Sequence, residues 1–167
     1  DFTDWTSGFI AIKRKVFEKC GLFDRQFERQ RMGDGEFGLR AYLNGFKSIS
    51  NPMASRQHLK HVKGGLREMG SWDGFHSTNW FQYRPIPSVL YFWRRFWGNE
   101  ATLRACIMIL PFSLVPYRFK GRYFAYIVSF IIFILFLPIF VIQFFFSLVK
   151  SNHMINQGAL IDKIKSI

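Results

Sequence analysis

Apolar positions come as short runs in the first third of the chain and as one long run near its end. Phe9-Ile10-Ala11-Ile12 lies between Ser7-Gly8 and Lys13-Arg14-Lys15, and it predicts a buried strand. Val16-Phe17-Glu18-Lys19-Cys20 predicts a short helix, with Gly21 as its stop. Phe23, Asp24 and Phe27 follow in a loop with aromatic anchors. Asp34 to Asn44 predicts a second helix, with Phe37, Leu39, Ala41, Tyr42 and Leu43 as its apolar positions and Gly45 as its end. Phe46 to Ser50 predicts a second strand, closed by Asn51-Pro52. Strand, helix, loop, helix and strand make part of an α/β layer. Two strands do not form a stable sheet alone. The pattern therefore implies further strands, from a preceding half of the protein or from a partner.

The second half changes character. Residues 55–76 carry Arg56, His58, Lys60, His61, Lys63, Gly64-Gly65, Arg67 and His76, too polar and glycine-rich for a core element, and predict a loop. From Pro85 to Gly98, Val89, Leu90, Tyr91, Phe92, Trp93, Phe96 and Trp97 surround Arg94-Arg95. That pattern fits a helix at a membrane interface and fits equally a core helix. Residues 105–117 are apolar, but short and twice interrupted by proline, which predicts a re-entrant or interfacial segment. Tyr123 to Val149 then runs without a charge. As a helix it would cover ~40 Å against a hydrocarbon core of ~30 Å. It predicts a transmembrane helix, tilted or bent at Pro138. The expected parts are thus 1–75, an α/β catalytic part; 76–122, a basic aromatic region; 123–149, the membrane helix; and 150–167, a tail.

Composition sharpens the membrane reading. The chain has 167 residues, 21 of them Phe, and a formal net charge of +12. Residues 1–55 hold nine Lys/Arg against seven Asp/Glu, residues 56–122 eleven against three, and the remainder three against one. The excess cation lies just ahead of the long apolar run, where it suits anionic headgroups and a cytoplasmic location. No nucleic-acid motif accompanies these cations, so nucleic acid is not an expected partner. Cys20 and Cys106 stand among apolar residues with no CxxC spacing, as two buried thiols would.

Candidate chemistry concentrates at Gly33-Asp34-Gly35-Glu36-Phe37-Gly38-Leu39-Arg40. Acids at a helix start are favoured by the unpaired N–H groups there, so on helix statistics Asp34 reads more readily as an N-cap than as a carboxylate placed to meet a substrate hydroxyl. His58 and His61, three apart, have the spacing of a metal-binding pair, though at least one of them, His61 first, also reads as a solvated side chain.

The ordered set Ser7-Gly8-Phe9-Ile10-Ala11-Ile12-Lys13-Arg14, Phe17, Gly21-Leu22-Phe23-Asp24, Asp34-Gly35-Glu36-Phe37-Gly38-Leu39-Arg40 and Gly45-Phe46 resembles the second half of family 2 glycosyltransferases. The resemblance covers roughly residues 1–70. It implies a partial GT-A fold and the transfer of a sugar from a nucleotide-sugar donor to a saccharide or lipid-linked acceptor. It implies Asp34 as general base, with Ser7, Gly8, Glu36, Arg40, Gly64, Gly65 and Arg67 on the substrate side. It also implies a divalent cation, Mn2+ or Mg2+, with His58 as a ligand. The family opens the helix with a Glu-Asp pair, and here Gly33 stands in place of the first acid. The Asp-x-Asp motif of the family's first half does not occur in these residues, so the chain is expected to be an acceptor-side half plus membrane anchor, without turnover by itself. The rival expectation is a non-enzymatic module that docks a basic, aromatic surface on membrane lipid.

Overall fold

A computed structural model describes residues 10–49, 51, 53, 82–115, 119 and 121–164. Five α-helices run through them: α1 (Arg14–Cys20), α2 (Gly33–Leu43), α3 (Pro87–Ile109), α4 (Tyr123–Leu135) and α5 (Leu137–Gln157). The chain divides into two compact units. The first takes residues up to 28, then 32–66, and the segment from Ala159 onward. The second takes 29–31 and 67–158.

In the first unit α1 and α2 share a core of Val16, Cys20, Phe37 and Ala41. Phe37 is fully buried, stacks on Phe23 at 4.5 Å between ring centroids, and meets Phe17 at 5.2 Å. Gly21 ends α1 with φ +80°. A β-carbon there would strike the Ile161 side chain, so both backbone angle and space call for glycine. Ile161 belongs to the segment after α5, which returns to this unit. Its Asp162 carbonyl accepts from Leu22 N–H at 2.8 Å, and its Leu160 carbonyl accepts from Arg25 N–H at 3.1 Å. Buried Asp24 completes the clasp: its Oδ1 accepts from Leu160 N–H and from Gln26 N–H, each at 3.0 Å.

The expected α/β layer is overturned. Among the described residues there is no strand, and the elements are helical throughout. Residues 10–12 and 46–49 run irregularly where strands were expected. A strand is held by a neighbouring strand's N–H and C=O groups, and among the described residues there is no strand beside either segment. Ile12 and Phe46 instead pack on the α1–α2 core as single side chains. Their apolar character therefore marked burial, not sheet pairing.

In the second unit α3 is broken at Gly98, whose φ +80° and ψ 173° are not helical. Leu90, Cys106 and Leu110 share one core cluster. In a straight helix Leu90 and Cys106 would stand ~24 Å apart, so the chain doubles back at Gly98. The first turns of α3, Pro87–Phe92, are buried, whereas Trp97 and the face bearing Leu103, Ile107 and Met108 are exposed. The region from Pro85 is thus partly core and partly surface.

The long apolar run forms two helices. α4 and α5 meet at Phe136 with a bend of 83°. Pro138 lies in the first turn of α5, where proline is tolerated, and the break falls just ahead of it. Among the described residues no single helix is long and apolar enough to cross a membrane, but the bent pair qualifies together by length and composition. α5 also continues past Val149 to Gln157.

On α4 and α5 polar residues are turned inward and the outward face is apolar. The buried face of α5 is Phe140, Gln143, Ser147, Ser151 and Met154, at helical spacing. Ser147 donates to the Pro85 carbonyl, and Ser151 accepts from Arg94, whose Nη1 also donates to Asn152 at 2.7 Å. On α4 the one buried residue is Ser129, which donates to the Pro111 carbonyl at 2.7 Å. Phe124, Ile127, Phe130, Ile131, Ile134, Val141, Ile142, Phe145 and Phe146 point outward. Arg84 is buried, donates to the Ser113 hydroxyl at 2.8 Å and lies over the Phe140 ring. Burial lowers its pKa to about 10, which leaves it protonated at neutral pH.

Candidate functional site

α2 starts after Met32, which holds the left-handed φ of +73° and caps nothing with its side chain. Asp34 is therefore the second residue of the helix and not its N-cap. It is half-buried, and its Oδ1 accepts from Gly35 N–H at 3.1 Å. The first helical bond runs from Glu36 N–H to the Met32 carbonyl at 2.8 Å. The carboxylate thus sits in the turn where unpaired N–H groups favour negative charge.

One turn further, the helix is locked. Glu36 is fully buried, and Arg40 faces it as a fork: Nε to Oε1 at 2.8 Å and Nη2 to Oε2 at 3.0 Å. Arg40 also donates to the Cys20 carbonyl through Nη1 and to the Leu22 carbonyl at 2.9 Å through Nη2. Its guanidinium lies 5.1 Å from the Phe37 ring centroid. This one side chain ties the end of α1 and the loop after it to α2. At the other end of α2, Lys19 Nζ donates to the Asn44 carbonyl at 2.8 Å. Burial pushes the Cys20 thiol upward, against the opposing pull of Arg40 and Lys19.

Of the residues named from the sequence, Asp34, Glu36 and Arg40 are brought together on α2, the last two bonded to each other. Ser7, Gly8, His58, Gly64, Gly65 and Arg67 lie outside the described residues. Among the described residues no three His, Cys, Asp or Glu side chains converge, so these residues offer a divalent cation no ligand set. Two features escaped the sequence reading. The Asp24 carboxylate is an internal fastener, signalled only by an Asx-type turn to Gln26 two residues on. The segment 160–162 is its partner, and nothing local marks it as such.

Compared with protein-family models, with curated proteins and with solved structures, the chain finds no match.

Proposed function

We propose that this chain is the acceptor-side part of a membrane-associated glycosyltransferase of the family 2 type. It would take a sugar from a nucleotide-sugar donor and pass it to an acceptor hydroxyl, in polysaccharide or glycolipid assembly. The observation that carries the reading is the placement of Asp34. It is a half-buried carboxylate in the first turn of a helix whose next turn is pinned by the Glu36–Arg40 fork, and it is not spent as an N-cap. A general base needs a fixed position within hydrogen-bond reach of the acceptor hydroxyl. As the acceptor oxygen attacks the anomeric carbon, its proton passes to an Asp34 oxygen. The bond from that carbon to the diphosphate breaks, and the nucleoside diphosphate leaves with the electron pair. Glu36 and Arg40 hold the helix and take no part in the proton transfer. The described residues assign no step to a metal.

The reading places the catalytic part on the cytoplasmic face of the cell membrane. Arg118, Lys120 and Arg122, immediately before α4, support that side. In the intact protein in its own membrane, Asp34→Asn should lower sugar transfer by about 10²–10⁴-fold while nucleotide-sugar binding persists. Unimpaired transfer would remove Asp34 from the role.

The outward apolar surface of the second unit favours a second reading, a module that docks on lipid and catalyses nothing. Lipid binding by the intact protein with no sugar transfer from any nucleotide-sugar donor would select it.

A further inference from the structure

The second unit is a loop in the path of the first. Residues 10–28 and 32–49 precede its main part, 67–158, residues 159–164 follow it, and both sets belong to the same unit. The bonds from Leu22, Arg25 and Asp24 to residues 160–162 hold them there. Chain leaving and re-entering one folded unit crosses a bilayer an even number of times, so a single crossing is excluded. Two crossings would need a second long apolar segment. The remaining candidate, the part of α3 after Gly98, covers only ~16 Å. It also carries the exposed Glu100–Arg104 pair. The even number left is zero.

We infer that α4 and α5 form a re-entrant wedge that enters one leaflet and returns to the same face, so that this segment is seated in the membrane without crossing it. α4 is ~20 Å long, and the apolar part of α5, Leu137 to Val149, is as long. Two such arms meeting at the 83° bend, set symmetrically about Phe136, reach a depth of about 13–15 Å. That is about half of a ~30 Å hydrocarbon core.

The occupant of the outward surface is lipid, and the inverted polarity is the argument. Side chains that need hydrogen-bond partners, Ser129, Ser147 and Ser151, face inward and find them. Small residues four apart, Ser147 and Ser151, let α5 lie close on α3. Phe124, Phe130, Ile134, Val141, Ile142 and Phe145 face outward on both arms. A cation closes each open end of the wedge: exposed Arg122 before α4 and exposed Lys150 after the apolar part of α5. Both are placed to meet the phosphates of one headgroup layer.

The test is single-thiol accessibility in sealed, right-side-in vesicles carrying the full-length protein. Ser48→Cys reports the chain before the wedge, Arg122→Cys its entry and Lys163→Cys the chain after it; all three positions are exposed. The wild-type protein, whose Cys20 and Cys106 are buried, gives the background. A membrane-impermeant maleimide is applied before and after permeabilisation. The wedge predicts that all three respond alike, with the same labelling pattern on the same face. A Lys163→Cys variant labelled from the face opposite to Ser48→Cys would mean an odd number of crossings and overturn the inference. An Arg122→Cys variant labelled from the face opposite to the other two would mean two crossings and overturn it as well. None of these outcomes depends on sugar transfer, so the inference stands or falls apart from the proposed activity.

Discussion

The two units solve opposite solvent problems with the same chain. In the first, Phe37 and Ala41 are hidden and the buried charges are matched: Glu36 by Arg40, and Asp24 by two backbone N–H groups. In the second, Ser129, Gln143, Ser147 and Ser151 are hidden while Phe and Ile face out. The first arrangement is what water selects, because burial of apolar area is favourable and buried charge must be compensated. The outward faces of α4 and α5 gain nothing from water, being as apolar as a lipid tail. The polarity of the buried face, more than the length of any helix, separates the two environments.

That contrast can be broken at its strongest point first. Arg40→Ala would leave the Glu36 carboxylate buried without its counter-ion and strip the Cys20 and Leu22 carbonyls of a donor. A loss of about 3–5 kcal/mol is expected in denaturant unfolding of the first unit. The double change Glu36→Leu with Arg40→Met should recover most of it, because an apolar pair carries no desolvation cost. In the second unit the sensitive change is one of size. Ser147→Leu would wedge α5 from its buried neighbours and remove the bond to the Pro85 carbonyl. A loss of about 1–3 kcal/mol is expected, read as lowered thermal resistance in lipid or detergent.

Outward positions should behave differently. Phe130→Ser should leave folding unchanged and weaken partition into neutral vesicles by about 1.5–3 kcal/mol, the worth of one large side chain leaving apolar surroundings. If it unfolded the unit instead, the outward face would be a core after all. The smallest effect belongs to Cys20. Its folded pKa is raised, so the native state keeps the thiol proton longer than the unfolded chain does. Its contribution to stability is complete below the ordinary thiol range and is lost as pH rises through the raised value. A shallow fall of the unfolding midpoint on the alkaline side is expected; Cys20→Ala should lessen it, and the part due to the Cys106 thiol, raised to about 11, should remain.

Local chemistry was readable in the sequence, and long-range pairing was not. Gly21 signalled the end of α1, and the spacing from Asp34 to Leu43 signalled α2, because caps and periodicity act over a few residues. Strands were expected at 9–12 and 46–50, but a short apolar run cannot name the neighbour that would make it a strand, and of their described residues only Ile12 and Phe46 pack on the core. Arg40 drew attention as a charge near Glu36, yet half of its bonds go to the backbone carbonyls of Cys20 and Leu22, which carry no signature. Asp24 and Leu160 meet across 136 positions. Pro138 announced a bend, but the size of that bend, and with it the difference between a span and a wedge, was not in the residue.

The clasp between residues 22–25 and 160–162 has a consequence for the order of synthesis. On a ribosome the α1–α2 pair emerges long before Leu160, and more than a hundred residues later its Leu22 and Arg25 amides still await these partners. At about 5–20 residues per second, that interval lasts on the order of ten seconds. Both α4 and α5 emerge within that interval, so they are complete before the first unit can close. A chain that failed to insert would leave its aromatic arms exposed while the first unit was still open, and would reach the proteases in that state. The hydrogen bonds between residues 22–25 and 160–162 are thus the last contacts of the first unit to become possible.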